Sequence, residues 1–418
     1  MSGLPEPSAA LKRLAGRRAV VLAIAAARDA ATSFVVVGGA VRDALLGLPP
    51  GDLDLAVPHE RAAAFADALA RRGGVRAVAI GRAPRRILHV PLRRAAADVW
   101  ETEGDAEADL LRRDFTVNSL GLVLPGRRLV GAPGAFDDLR SRRLRLPRPG
   151  VLLEDPLRVV RAARFLERLP GFRLDASVLP ELLRAALLLP EVAPERRLAE
   201  LDAILSAGPV SAGRALARLE AWDALSALLP GVARADRRKG VALLRNADAP
   251  PDPALLRAIL LAPARPSSAP SALQAIRASR RDTRLVAALH AIPRPSGRAS
   301  RRAAVLLLRR AAPFSREAVP FVAAVHGEAG RAFARAAAAV LRERSGLERV
   351  LRPRRPIGPG EIAALTGASG PGLGRLLDDL DEALATGLVR GKRAARERLL
   401  HLAPRDTPAG SRKPGGTV

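Results

Sequence analysis

Phe34-Val-Val-Val-Gly-Gly-Ala-Val-Arg-Asp-Ala-Leu-Leu-Gly47, followed by Gly51-Asp-Leu-Asp-Leu55, decides how this chain is read. An apolar β-branched run ends in two glycines, a helical stretch with an early arginine follows, and two aspartates sit two residues apart on the next apolar run. Side chains at i and i+2 of a strand share one side, so Asp52 and Asp54 can hold one metal site between them. Hard oxygen ligands of this kind suit Mg²⁺ bound to substrate phosphates. Gly38 and Gly39 let a triphosphate approach the backbone, and the N–H groups opening the next helix favour an anion. Arg42, one turn into that helix, is placed to pair with a phosphate.

Around this stretch, residues 18–145 alternate short apolar runs with helical spacing, the signature of an α/β arrangement. Strands are predicted at Ser33–Val37, Leu53–Val57, Arg76–Ile80, Ile87–Val90, Ala96–Trp100, Leu120–Leu124 and Arg128–Val130. Helices are predicted at Ala40–Leu46, Glu60–Arg72, Ala106–Leu111 and Phe136–Ser141. After Pro149 strand signals almost vanish, and Leu, Ala and Arg recur at helical spacing between prolines, as in an all-α region. The whole reads as α+β: an N-terminal domain with a mixed sheet, followed by helices. Asn246–Pro253 and Pro263–Pro270 read as loops. Arg352–Pro356 separates a last helical module, Gly360 to about Leu402, and residues 403–418 read as a disordered tail.

The chain of 418 residues is 48% apolar, long enough for more than one core and too apolar to be disordered. It has 69 basic residues against 42 acidic ones, a net charge of +27. Only Lys12, Lys239, Lys392 and Lys413 are lysines, a skew that GC-rich codons would produce. Codon bias exchanges Lys for Arg but does not create an excess of cations, and that excess favours a nucleic-acid partner. The absence of cysteine removes disulfides, thiolate metal sites and cysteine nucleophiles, and fits a cytoplasmic protein. No His-Asp dipeptide occurs, which argues against a metal phosphohydrolase domain. Ala19–Ala27 is too short an apolar run to cross a membrane and is read as a helix packed on the α/β domain.

Three further groups carry chemistry. Asp98, in Ala97-Asp-Val-Trp100, is a candidate third carboxylate that orients or deprotonates a hydroxyl, or else a solvated strand acid. In Arg112-Arg-Asp-Phe-Thr-Val-Asn118, Arg113 suits a phosphate or ribose hydroxyl, while Asp114 and Asn118 either receive sugar hydroxyls or fix the arginines. In Glu154-Asp-Pro-Leu-Arg158-Val-Val-Arg161-Ala-Ala-Arg164-Phe165, Asp155 reads as a helix cap and Pro156 as its first residue. Arg158, Arg161 and Arg164 climb one slowly turning face, suited to a polyphosphate or nucleic-acid backbone. Asp155 and Arg158 could read the edge of a base, or merely form a helix-start salt bridge of about 0.3–0.5 kcal/mol.

Taken in order, Gly38-Gly-Ala-Val-Arg-Asp43, Asp52-Leu-Asp54, Arg112–Asn118 and Glu154–Phe165 resemble the class II CCA-adding enzyme and bacterial poly(A) polymerase family. Pro194-Glu-Arg-Arg-Leu-Ala-Glu-Leu201 is similar to that family's later neck motif, and Gly358–Gly374 is similar to its tail. The resemblance implies a nucleotidyltransferase head (18–145), a helical neck with a nucleotide-selecting helix (146–230), a helical RNA-binding body and tail (231–402) and a disordered end (403–418). It implies Mg²⁺ on Asp52 and Asp54, the triphosphate on Gly39 and Arg42, and the sugar on Arg113 and Asp114. It also implies that Asp155 and Arg158 select CTP or ATP, that Arg161 and Arg164 bind phosphates, and that the helical half grips the upper part of a tRNA. The implied reaction is addition of CCA to tRNA 3′ ends. Poly(A) addition, partial CC or A addition, and non-catalytic RNA binding stay open, as does the oligomeric state. Three departures stand out. Only Val99–Arg112 follows Asp98 before the Arg-Arg-Asp motif, shortening a loop that CC-only members lack in working form. Gly131 stands where Asp is usual, and Ser119 replaces a common Ala.

Overall fold

Seven strands build one mixed sheet: β1 (Phe34–Val37), β2 (Leu53–Pro58), β3 (Val78–Ile80), β4 (Ile87–Val90), β5 (Ala97–Thr102), β6 (Leu120–Leu124) and β7 (Arg128–Gly131), in spatial order β3-β4-β5-β2-β1-β6-β7. The computed structural model describes residues 7–81, 86–93, 95–102, 109–343 and 346–402. All seven predicted strands form, with ends shifted by a residue or two. The β-branched run of β1 is buried throughout, as its place between β2 and β6 demands. Only β2 and β5 run parallel, and the crossover between them holds the helix Ala62–Gly73.

The register places chemistry in a line. Val130, Gly121, Val37, Asp54, Asp98, His89 and Val78 are successive cross-strand partners from β7 to β3. Gly121 is required in that line, because a Cβ there would lie 2.8 Å from Val35 Cγ1 and 2.9 Å from Val130 Cγ2. The opposite face, carrying Phe34, Val36, Leu55 and Val99, is buried. There Phe34 meets Phe65 of the helix Ala62–Gly73, with ring centroids 5.2 Å apart. The predicted helix over Ala19–Ala27 is Arg18–Asp29, and it packs on Ala62–Gly73. The face bearing Asp54 is partly covered too, by an apolar cluster of Val35, Val37, Ala56 and Val130 with Leu110.

The described residues fall into two compact units, one within residues 1–201 and 215–228, the other within 202–214 and 229–418. In the first, a pair of two-residue strands, Arg143–Leu144 and Arg173–Leu174, was not anticipated, since two residues carry no periodic signal. The first half of the predicted helix Ala106–Leu111, residues 106–108, lies outside the described residues, and so does the tail 403–418. The second unit is helical. The helices Arg234–Arg245 and Pro253–Leu261 approach so closely that a Cβ on Gly240 would lie 1.8 Å from the Leu260 carbonyl oxygen. Between them the expected loop at 246–252 is present. The one expected at 263–270 is shorter, because the helix Ser268–Ala275 accepts Pro270 in its first turn. The last module comprises helices Pro359–Thr366, Gly370–Thr386 and Gly391–Leu402 around a core of their own that includes Ile362, Leu380 and Leu399. No described helix is long and apolar enough to cross a membrane.

Candidate active site

A cleft of about 520 Å³ in the first unit is lined by Gly38, Gly39, Arg42, Asp52, Asp54, Arg113, Asp114, Asn118, Asp155, Arg158, Arg161 and Arg164. Every nucleotide-binding candidate read from the sequence is therefore on its wall, and Asp98 alone of the catalytic candidates is not.

β1 ends at Val37, and Gly38 turns the chain into the helix Gly39–Leu45 with φ +74°. An L side chain is strained there, and a Cβ would stand 3.6 Å from Asp54 Oδ2. Asp54 lies opposite Val37 on β2, and Asp52 lies one residue ahead of that strand. The Asp52 Oδ1 accepts a hydrogen bond from the Ala96 N–H at 2.8 Å. Asp54 makes no hydrogen bond or ion pair among the described residues. Burial raises its pKa, Asp98 and Asp52 add to the rise, and the charge of Arg113 opposes it.

Other cleft acids are each held by an arginine. Asp43 Oδ1 accepts from Arg42 Nε at 2.8 Å, and Asp43 Oδ2 from Arg168 at 3.2 Å. Asp114 Oδ2 accepts from Arg161 Nε at 2.9 Å. Glu200 accepts from Arg164 Nε at 3.0 Å and from Arg161 Nη1 at 3.4 Å. Asp155 accepts from Arg196 at 2.8 Å. Burial alone would raise the pKa of Asp114. The charge of Arg161, with hydrogen bonds from Asn118, Arg161 and the Phe115 N–H, outweighs it and holds this carboxyl below the usual range. Burial likewise acts against the charge of Arg161, and Asp114 and Glu200 overcome it, pushing the guanidinium's pKa up.

The arginines differ in what they leave open. Arg42 is buried, bonded to Asp43 and to Asn118 Oδ1, and burial lowers its pKa. It packs beneath the Gly-Gly turn instead of reaching out as a free hook. Arg113 pairs with Asp109 at 3.0 Å and lies over the Trp100 ring at 4.9 Å. Arg158 donates to the backbone oxygens of Val151 (2.9 Å) and Arg112 (2.7 Å), which engages only two of its guanidinium N–H groups. Asp114 and Asn118, for which sugar contact and arginine fixing were both open, are engaged in fixing arginines: Asn118 Nδ2 also donates to Asp114 Oδ1 at 2.8 Å.

One local expectation is met and its companion is not. Asp155 Oδ1 accepts the Leu157 N–H at 3.4 Å and its backbone oxygen the Arg158 N–H at 3.0 Å, so Asp155 caps the turn through Pro156 that leads into the arginine helix. Asp155 is extended, following the short helix Val151–Glu154, and its Oδ2 turns to Arg196. The helix-start salt bridge between Asp155 and Arg158 is consequently absent. Asp98 lies beside Asp54 in register, but its Oδ1 is 2.7 Å from His89 Nδ1 on β4. Glu200, Arg196, Arg168 and Phe165 line the cleft as well. The first two stood in the Pro194–Leu201 motif, but nothing in the spacing marked their partners.

The donor set suits a divalent cation. Among the described residues, three or more acidic or histidine side chains do not converge on one metal position. Two aspartates alone, one of them half-buried with an unpartnered carboxylate, suit Mg²⁺ when phosphates and water complete its shell.

Residues 34–145 match the family described as poly A polymerase head domain. The chain is 34% identical over 202 residues to a CC-adding tRNA nucleotidyltransferase of Shouchella clausii, covering 47% of this chain and 50% of that protein. It is 38% identical over 200 residues to an A-adding tRNA nucleotidyltransferase of Deinococcus radiodurans, covering 47% and 44%. The chain thus spans about half the length of the curated relatives it matches. Among solved structures, a Thermotoga maritima CCA-adding enzyme complexed with tRNA superposes with a TM-score of 0.70 at 20% identity, covering 96% of this chain and all (100%) of that one. Residues 34–145 are thus similar to the poly A polymerase head domain, and the α+β fold of the chain is that of the CCA-adding enzymes.

Proposed function

We propose that the chain is a cytoplasmic, Mg²⁺-dependent tRNA nucleotidyltransferase that completes CCA at tRNA 3′ ends from CTP and ATP. The observation that carries this reading is the division of labour among the cleft acids. Asp43, Asp114, Asp155 and Glu200 each hold an arginine, while Asp54 holds nothing and Asp52 only a backbone N–H. A cation position and a row of fixed guanidinium groups therefore share one wall.

A divalent cation bound by Asp52 and Asp54 would lower the pKa of an attacking 3′ hydroxyl and offset charge on the departing pyrophosphate. The chain's own groups contribute positioning and electrostatics. Arg161 and Arg164 hold the phosphates, with their side chains set by Asp114 and Glu200. Gly38 keeps the backbone clear for the triphosphate, and Arg42 supports that turn from below. Arg113 reaches the sugar. Arg158, with N–H groups to spare, and Asp155 read the edge of the base. Residues 18–145 act as head and 146–230 as neck, and 231–402 bind the RNA. The likeness to a CCA-adding enzyme complexed with tRNA supports that partner.

A second reading, partial addition of CC or A alone, is favoured by the short Val99–Arg112 segment and by relatives named for each activity. The test is incorporation on tRNA lacking CCA, ending in C, or ending in CC, with Mg²⁺ and CTP, ATP or both, sized at single-nucleotide resolution. Stepwise growth that stops at CCA is the expected result. Stopping at CC, adding only A, or building long A tails would each replace it with the corresponding activity. Binding without incorporation would leave an RNA-binding protein.

A further inference from the structure

Phe165 lies at the centre of the cleft's cationic groups and has no part in the chemistry described so far. Its ring centroid is 5.5 Å from Arg42 Cζ, 5.4 Å from Arg161 Cζ and 5.1 Å from Arg164 Cζ. The ring is buried and lines the cleft. It also meets Phe115, of the Arg-Arg-Asp motif, in a T-shaped contact at 6.0 Å. One neutral side chain thus joins three guanidinium groups drawn from two helices, Gly39–Leu45 and Arg158–Arg168, and ties them to the segment that carries Asp114.

The physical consequence follows from what a π face does. It attracts a cation through its quadrupole without neutralising it. A carboxylate at the same place would gather the arginines equally well but cancel the charge an anion needs. A guanidinium near a ring keeps N–H groups available for oxygen acceptors. An aliphatic side chain would fill the space, yet it would leave three like charges to separate or to turn further onto Asp43, Asp114 and Glu200.

We propose that Phe165 is a positioning residue. Its ring holds Arg161 and Arg164 in place on the cleft wall, with Arg42 beneath the Gly-Gly turn, and adds no carboxylate to those that already pair with them. This rests on the reading of the cleft as a triphosphate site. The ring acts through the arginines and touches no reacting atom. Its loss is therefore expected to weaken binding of every triphosphate alike, raising KM for CTP and ATP together with kcat nearly unchanged.

The experiment is calorimetric binding of inorganic tripolyphosphate, and of ATP and CTP, to the full chain without metal. The variants are Phe165→Tyr, Phe165→Leu and a series with one, three and five ring fluorines introduced at position 165. Fluorination drains the π face at nearly constant shape, so a packing role would not respond to it. The expected result is a stepwise rise in Kd along the series, about tenfold for Phe165→Leu, or about 1.4 kcal/mol, with Phe165→Tyr close to the native value. Kd values flat along the fluorine series, while native binding persists, would overturn the inference and leave the triphosphate reading standing. Failure of the native chain to bind tripolyphosphate or either nucleotide would overturn both.

Discussion

Arg161 in the cleft and Arg257 in the helical unit are built alike and do different work. Each bridges two carboxylates: Arg161 joins Asp114 and Glu200, and Arg257 joins Asp202 and Asp282. The Arg161 side chain is 36% exposed and opens on the cleft. That of Arg257 is 3% exposed, sealed among helices with its Nε unpartnered. A buried, twice-paired arginine is thus not in itself a functional sign. What distinguishes the cleft is an open edge on the cation and, nearby, a carboxylate left without one.

The largest expected effect tests that last point. Asp54→Ala or Asp52→Ala should lower incorporation by roughly 10³-fold or more while tRNA binding is retained. Near-native turnover in both variants would remove the cation site from the comparison. Next, Arg257→Ala should destabilise the protein by about 3–5 kcal/mol in chemical denaturation, because it removes a buried guanidinium and strands two partly buried acids. Arg161→Ala should cost less stability, since Asp114 keeps its bonds from Asn118 and the Phe115 N–H and Glu200 keeps Arg164, and should instead raise KM for nucleotide. Equal loss of stability in the two variants, with KM unmoved, would make both arginines structural. A smaller effect is expected for Arg158→Ala: competition assays should show CTP/ATP discrimination falling several-fold, about 1–2 kcal/mol. A lower rate at unchanged selectivity would return Arg158 to its backbone contacts with Val151 and Arg112.

The finest test is the pH dependence of stability. Asp54 has a raised pKa in the folded chain, so its contribution is fully present below the unfolded value and is lost as pH rises through the folded one. Asp114 has a lowered pKa, so its contribution is present above the unfolded value and is lost as pH falls through the folded one. Asp54→Asn should therefore flatten a decline in stability on the alkaline side of the ordinary carboxylate range, and Asp114→Asn a decline on the acid side. Unfolding midpoints measured across that range, with slopes of the same sign for both aspartates, would contradict the assignment.

The strands and the walls of the cleft were legible because their signals are local. Val35–Val37 declare a buried strand, Gly38 a turn of positive φ, and Asp52 with Asp54 a shared side. The partners were not legible, because tertiary approach chooses them. Asp155 stands beside a proline at a helix start and accepts the Leu157 N–H there, yet its second carboxylate oxygen is taken by Arg196, forty-one residues on. Asp98 reads in sequence much as Asp54 does. Only the placement of β4 against β5 brings His89 onto it. Nothing in the spacing marks Phe165, and the arginines that give it meaning lie on two helices.

The line of partners from Val130 through Gly121, Val37, Asp54 and Asp98 to His89 has a bearing on how this protein can change length. A residue added at 125–127 or 59–61 falls between elements and leaves that line standing. One added inside β2 ahead of Asp54 turns every later side chain of the strand to the other face, and Asp54 would then point among the helices beside Phe65. Insertions and deletions in descendants of this chain are accordingly confined to the joints of the sheet, where a longer or shorter segment alters reach without altering chemistry.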